Sequence, residues 1–101
     1  IITEGAKKAA VTRIYGGDKG VTVLGVPSKS DFGGVTDCVK GCARVWVVLD
    51  PDGWDRARLL ARQIGSNARV VDLPMKVDDA FLHGGLTRDG WIDYLQQGVK
   101  I

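Results

Sequence analysis

Residues 44–64 read RVWVVLDPDGWDRARLLARQI, and the architecture of the chain can be worked out from this segment. Residues 45–49 form an unbroken apolar run rich in β-branched side chains, which is typical of a strand covered on both faces in a parallel sheet. The run stops at Asp50, and the turn formers at 51–53 take the chain out of the sheet. Apolar residues then recur with the spacing of one helix face, at Ala57, Leu60, Ala61 and Ile64. The segment therefore predicts a strand, an acidic turn and a helix.

The same alternation of strand and helix continues on both sides of this segment. Mostly β-branched stretches predict three further strands, at 1–2, 21–24 and 68–73. Composition and spacing predict further helices at 6–15, at 35–39, from a cap at Asp78 or Asp79 to Leu82, and from near Asp89. Because strands that alternate with helices form βαβ units, the sequence predicts a single α/β domain over 1–101. Its core is a four-stranded parallel sheet with helices on both faces.

Helical spacing also predicts which side of a helix is buried. In the first helix, the apolar side is expected to hold Ala10, Val11 and Ile14. The solvated side carries three basic residues, Lys7, Lys8 and Arg13. Contact with a nucleic-acid backbone and simple solvation of the helix are both open interpretations for them. In the helix after the acidic turn, the solvated side is expected to hold Arg56, Arg58 and Arg62.

A few single side chains carry further predictions. Trp46 lies within the apolar strand and is expected to be part of the core. Cys38 is expected on or near the core, and with Cys42 it is predicted to be a reduced, structural thiol, since a metal site of this kind needs more ligands. Lys29, in a predicted loop over 28–34, is a further candidate for a phosphate contact.

Length, charge and hydropathy limit the possible classes of protein. The chain has 101 residues, of which 45% are apolar and 26% charged, as in an ordinary globular domain. No segment has the length and hydropathy of a membrane span or the form of a signal peptide, so we expect a cytoplasmic protein with no membrane partner. The net charge of +2 is too small to indicate nucleic acid by itself. The chain opens with Ile1 inside a predicted strand, and we expect a domain cut from a longer polypeptide.

Charged side chains follow three of the predicted strands at the point where each strand ends. They are Glu4 after the first strand, Asp50 and Asp52 after the third, and Lys76 with Asp78 after the fourth. In open α/β sheets, ligands bind in the crevice beyond the carboxyl ends of the strands. Carboxylates that converge there repel each other unless a cation offsets them, and oxygen ligands favour a hard ion such as Mg²⁺. The pattern predicts a metal-assisted phosphoryl-transfer site.

Three segments resemble the Toprim domain that is shared by topoisomerases, bacterial-type primases and some nucleases. They are ITEGAKKA at 2–9, LDPDGWDRA at 49–57 and LPMKVDDAFL at 73–82. The order of the strand-end Glu, the Asp-x-Asp and the later Lys and Asp matches that family over nearly the whole chain. The EGAKKA form is most similar to the Toprim-like domains of phage and plasmid primases or primase-helicases. The resemblance implies a four-stranded Rossmann-like sheet that binds Mg²⁺, with Mn²⁺ as a substitute.

The resemblance also implies roles for individual residues. Glu4 is the general acid or base, and Asp50 and Asp52 are the metal ligands. Lys76 contacts phosphate. Together with Asp78, Lys7 and Lys8, it belongs to the residues that bind substrate or nucleic acid. The implied partners are DNA, nucleotides and other domains of the same replication protein. The chain departs from the family at 53–55, where Gly-Trp-Asp stands in place of an Ala-Gly pair, and Asp55 is interpreted as a favourable charge at a helix start.

Several functions remain open at this stage. The leading prediction is the nucleotidyl-transfer domain of a DNA primase, and a Toprim nuclease would use the same acids to cut. A module that binds nucleic acid or a partner domain without catalysis is the second class. A receiver-like signalling domain is the weakest, because paired acids are expected after its first strand and Glu4 stands alone. The sequence has no Walker-type phosphate loop, which disfavours ATP hydrolysis by a P-loop site. No G-x-G-x-x-G follows the first strand, which disfavours a nicotinamide site.

Overall fold

A computed structural model describes residues 1–17, 20–26 and 33–100 of the chain. The predicted loop over 28–34 lies outside the described residues except at Gly33 and Gly34, so the prediction for Lys29 falls outside them as well.

The described residues form four strands, five α-helices and one 3₁₀ turn. In chain order these are β1 (Ile2–Glu4), α1 (Ala6–Gly16), β2 (Leu24–Val26), α2 (Gly33–Cys38), β3 (Val45–Val48), the 3₁₀ turn (Pro51–Gly53), α3 (Trp54–Ile64), β4 (Ala68–Val70), α4 (Val77–Leu82) and α5 (Arg88–Gln96). The order of strands and helices is the one predicted. The predicted strand over 21–24 is displaced, because β2 begins at Leu24 and continues through Gly25 to Val26. A side chain at position 25 would clash with the backbone of Gly5, since a Cβ there would lie 2.6 Å from the Gly5 carbonyl oxygen.

The four strands form one parallel sheet in the order β2-β1-β3-β4. The two central strands are paired through Ile2 with Val47 and Thr3 with Val48. Residue Val99 adds an antiparallel bridge to Val70 at the outer strand. Helices pack on both faces of the sheet, with α2 and α3 on one side and α1, α4 and α5 on the other. The prediction of a small Rossmann-like α/β fold is confirmed.

The core on the α3 face is built from alternate residues of the strands. Helix α3 contributes Ala57, Leu60 and Ala61, which are buried as their spacing predicted. They pack against residues that point to this face from the sheet, namely Ile2, Val26, Val45, Val47, Leu49, Ala68 and Val70. The helix ends at Gly65, whose φ of 117° is a conformation that glycine adopts readily.

The core on the opposite face is centred on Trp91 of α5, which is fully buried. Phe81 of α4 packs against it, with ring centroids 5.4 Å apart. Trp46, expected in the core, is only partly buried at the edge of this cluster, where its Nε1 donates a hydrogen bond to the Leu95 carbonyl at 2.9 Å. The indole N–H requires an acceptor when it leaves water, and the carbonyl at the end of α5 supplies one.

The predicted buried side of α1 is wrong. Ala9 and Thr12 are buried, whereas Ala10 is exposed and Ile14 is 74% exposed. The helix packs through its small residues because Gly16 lies directly against Trp91, where a Cβ would be 2.6 Å from the indole Nε1. Close packing against a large ring therefore decided the orientation of α1, and the apolar residues of the helix did not.

The prediction for Cys38 is also wrong, because its side chain is exposed and the neighbouring Val39 is buried in its place. Cys38 and Cys42 are both free thiols, but both are exposed, so the prediction that they are structural is wrong. Among the helices described within 1–17, 20–26 and 33–100, none has the length and apolar character needed to cross a bilayer.

Candidate functional site

The carboxyl ends of the central strands bring two predicted site residues together. Glu4 is the last residue of β1, and Asp50 follows β3 by two positions on the neighbouring strand. Glu4 is only 7% exposed, and the Asp50 side chain is mostly buried. The Glu4 carboxyl lies close enough to Asp50 to raise the pKa of that side chain. The buried carboxyl pair lies where open α/β sheets bind their ligands.

Burial and the Glu4 carboxyl raise the pKa of Asp50 to about 6. Loss of water around the charged form is the largest cause, followed by the hydrogen bond with Glu4 and the repulsion between the two charges. Lys8 and Lys76 act in the opposite direction by attracting the charged form. The charged form of Asp50 is therefore disfavoured at this position, and a further cation would stabilise it.

Three of the carboxylates at this edge of the sheet are held by a basic side chain from a helix. Arg56 of α3 donates from Nη1 to Oε1 of Glu4 at 2.5 Å. On α1, Lys8 lies 3.6 Å from Asp50, and Lys7 lies 3.6 Å from Asp78. The expectation that Arg56 and Lys8 belong to solvated helix faces is wrong, because both reach buried carboxylates of the site.

Arg56 is a residue of the candidate site that its pattern in the sequence did not indicate. It sits in the first turn of α3, directly after the acidic turn. Because side chains of a helix lean toward its N-terminus, an arginine at that position reaches back to the carboxyl edge of the sheet. Its distance of 52 residues from Glu4 in the sequence left no local signal of the pairing. The available signal was its place in the first helical turn, three residues from an Asp-x-Asp-Gly turn.

Asp78 is buried in the first turn of α4, with a side chain that is 8% exposed. Its Oδ1 has no hydrogen-bond partner among the described residues, and its Oδ2 faces Lys7. The prediction that Asp78 or Asp79 caps this helix is wrong, because Lys76 is the capping residue. Val77 is buried in the core, and its packing makes it the first residue of α4, one position before Asp78. Asp78 thus contacts α1 and gives the site a third buried acid.

Asp52 and Lys76 lie at the same edge of the sheet but are exposed. Asp52 occupies the 3₁₀ turn that begins α3, two residues after Asp50. Lys76 lies close enough to Asp50 to lower its pKa. No three acidic, histidine or cysteine side chains in the described ranges are gathered into a metal-binding group, so Asp52 does not complete a compact triad with Glu4 and Asp50.

The residues present fit a divalent cation that is bound with few protein ligands. The Oδ1 of Asp50 is buried and lacks a hydrogen-bond partner among the described residues, although Lys8 lies 3.6 Å away. Glu4 lies beside it, so two carboxylates face one another across the strand ends. Mg²⁺ keeps several waters and is held by one or two carboxylates together with substrate phosphates. These carboxylates suit Mg²⁺ better than an ion that takes all of its ligands from the protein.

A cavity of about 350 Å³ opens at the opposite edge of the sheet. It is lined by residues at or before the starts of the strands, among them Ile2, Leu24, Cys38, Cys42, Arg44 and Trp46. The carboxyl pair lies at the other end of the same strands. The cavity therefore takes no part in the acidic site.

Comparisons of the chain with protein-family models, with curated proteins and with solved structures found no match. The fold and the site define the class: a small Rossmann-like α/β domain with buried carboxylates and basic side chains at the carboxyl edge of its sheet.

Proposed function

We propose that this domain is the metal-binding part of a DNA primase or primase-helicase and transfers nucleotides with Mg²⁺. The observation that carries the proposal is the pair of buried carboxyl side chains, Glu4 and Asp50, at the carboxyl ends of the two central strands. Phosphoryl transfer needs charge stabilisation more than covalent chemistry from the protein. A carboxyl pair with basic neighbours meets that need, and the Toprim-like order of the residues supports the same conclusion.

In this proposal Asp50 and Asp52 hold Mg²⁺, which when bound stabilises negative charge on the phosphoryl group. Glu4 is the general acid or base, and it lies beside Asp50 at the end of the neighbouring strand. Asp52 is exposed on the adjacent turn, where a substrate phosphate is required to complete the coordination.

Basic side chains around the pair are proposed to hold the substrate. Lys7 is 75% exposed, and Lys76 is exposed, so both are accessible to a nucleic-acid backbone or a nucleotide. Lys8 is mostly buried and directed at Asp50, which suits a contact with a phosphate at the metal rather than with the distant backbone. Asp78 orients Lys7 in this arrangement. The partners proposed are DNA, nucleotides and further domains of one polypeptide, in the cytoplasm.

Metal-dependent binding of a single-stranded oligonucleotide tests this function. We expect fluorescence anisotropy to show tighter binding with Mg²⁺ than with EDTA, because the cation joins phosphate to the carboxylates. Asp50→Asn should abolish the Mg²⁺-dependent gain, whereas Asp93→Asn, which removes an exposed acid from α5, should keep it. Equal binding in Mg²⁺ and in EDTA by the unaltered domain would contradict the proposal.

A module that binds nucleic acid without catalysis is the second candidate, and one observation favours it. The three buried carboxylates are each already compensated by a basic side chain of the same chain: Glu4 by Arg56, Asp50 by Lys8 and Asp78 by Lys7. Because these basic side chains already offset the negative charges, the site has less need of a metal ion. It predicts that Asp50→Asn binds the oligonucleotide as the unaltered domain does. A Toprim nuclease shares the metal prediction and is separated from a primase by whether the whole protein cuts or extends DNA.

A further inference from the structure

Among the ion pairs of the described residues at the site, the one between Arg56 and Glu4 is the shortest. The Arg56 Nη1 donates to Glu4 Oε1 at 2.5 Å, whereas Lys8 stands 3.6 Å from Asp50, beyond hydrogen-bonding distance. Glu4 is buried, but a third of the Arg56 side chain is exposed at the crevice. The guanidinium thus joins the buried carboxylate to the solvent side of the site.

We propose that Arg56 is a positioning residue that acts as an exchangeable counter-ion. It neutralises Glu4 while no divalent cation is bound, and it turns to a phosphate group of the substrate when a divalent cation binds at Asp50, beside Glu4. The inference rests on the proposed function, because it requires a metal site at this carboxyl pair. It explains how binding of the metal would strengthen binding of phosphate, and the reverse.

Electrostatic competition is the reason for the exchange. A guanidinium on Glu4 and a divalent cation at the adjacent Asp50 repel each other, so each weakens the binding of the other. A phosphate that accepts the displaced guanidinium removes this competition. The planar guanidinium presents paired N–H donors that match a phosphate as well as a carboxylate, which a lysine ammonium does not.

The position of Arg56 in the fold permits the movement without a change of the backbone. It lies in the first turn of α3, the helix that begins directly after the 3₁₀ turn that carries Asp52. Its long side chain has several rotatable bonds, and a third of it already faces solvent. A change of rotamer is sufficient to move the guanidinium from Glu4 toward the mouth of the crevice.

Mn²⁺ affinity, measured through the paramagnetic relaxation of water protons at pH 7.5, tests the exchange. We expect Arg56→Gln to bind Mn²⁺ about tenfold more tightly than the unaltered domain, because the positive charge held on Glu4 beside the metal position is removed. In the presence of saturating Mn²⁺, the same variant should bind inorganic phosphate about tenfold more weakly. Arg62→Gln removes the same charge from an exposed position of α3 and should leave both affinities within about twofold.

The signs of the two effects separate this inference from its alternatives. If the unaltered domain binds Mn²⁺ but Arg56→Gln binds it equally or more weakly, Arg56 merely orients Glu4 and the exchange is wrong, while the proposed function stands. If the unaltered domain binds no Mn²⁺, the proposed function and the inference both fail. Arg56→Lys keeps the charge and should bind Mn²⁺ nearly as the unaltered domain does, with weakened phosphate binding.

A measurement on the unaltered domain covers the case in which Arg56→Gln does not fold. The guanidinium nitrogen signals of Arg56 report how freely the group rotates. Adding Mg²⁺ should release the hydrogen bond to Glu4 and speed that rotation, and inorganic phosphate added afterwards should slow it again. Guanidinium signals that do not change when Mg²⁺ saturates the site would overturn the exchange.

Discussion

The chemistry of the site depends on a few buried residues and on the charges that face them. Glu4 and Asp50 are adjacent because their strands are neighbours, and burial together with mutual repulsion raises the pKa of Asp50 to about 6. Asp50 itself was predictable, since acids after an apolar strand mark the carboxyl edge of a sheet. The pairing of Glu4 with Arg56 was not, because an arginine in a helix has the same local pattern whether it faces solvent or a carboxylate 52 residues away.

The raised pKa of Asp50 predicts how the stability of the domain depends on pH. A carboxyl whose pKa is higher in the folded than in the unfolded chain binds its proton more tightly when folded, so its charging destabilises the fold as pH rises from about 4 to above 6. Asp50→Asn, which imitates the neutral acid, should therefore be more stable than the unaltered domain at pH 8. The gain should shrink as the pH falls toward 4.5.

Urea unfolding at pH 4.5 and pH 8 measures that difference, and Asp93→Asn provides the control at an exposed site. A stability gain of Asp50→Asn that is the same at both pH values would show that the carboxyl is not strained by its surroundings.

The elements differ in how far the sequence determined them. Strand β3 and helix α3 were predictable because a continuous β-branched run gives way abruptly to a strong helical period. The buried side of α1 was not, since its largest apolar residue, Ile14, is exposed and the packing surface consists of small residues. A glycine or alanine contact depends on the shape of the partner, and Trp91 lies 75 positions beyond Gly16 in the chain.

Gly16→Ala tests the packing of α1 on Trp91. The added Cβ would lie 2.6 Å from the indole Nε1, so the ring or the helix must shift. We expect a loss of about 1–3 kcal/mol in the free energy of unfolding, as is usual for overpacking. Thermal or urea denaturation measures it.

Gly34→Ala is the matched control, because a Cβ at that position in α2 meets no atom within 4 Å. It should be neutral or stabilising, by up to about 1 kcal/mol. Equal effects of the two substitutions would contradict the close contact between α1 and the tryptophan.

At the scale of the whole molecule, the sheet separates two hydrophobic cores, and acidic and basic side chains lie together at the carboxyl ends of its strands. The order β2-β1-β3-β4 places β1 and β3 in the centre, so Glu4 and Asp50 meet where helices from both faces can reach them. Arg56 arrives from the α3 face and Lys8 from the α1 face. The fold class and the edge that carries the site were predictable from alternating strands and helices, but the pairing of acids with bases depends on how both layers pack.

The central claim is that Asp50 and Asp52 bind a divalent cation beside Glu4. Mn²⁺ titration of the ¹⁵N-labelled domain tests it most directly, because the paramagnetic ion broadens the amide signals nearest to it. We predict broadening centred on Glu4, Asp50 and Asp52 that disappears in Asp50→Asn and persists in Asp93→Asn. Broadening that is absent, or that is unchanged in Asp50→Asn, would contradict a metal site at the carboxyl ends of the central strands.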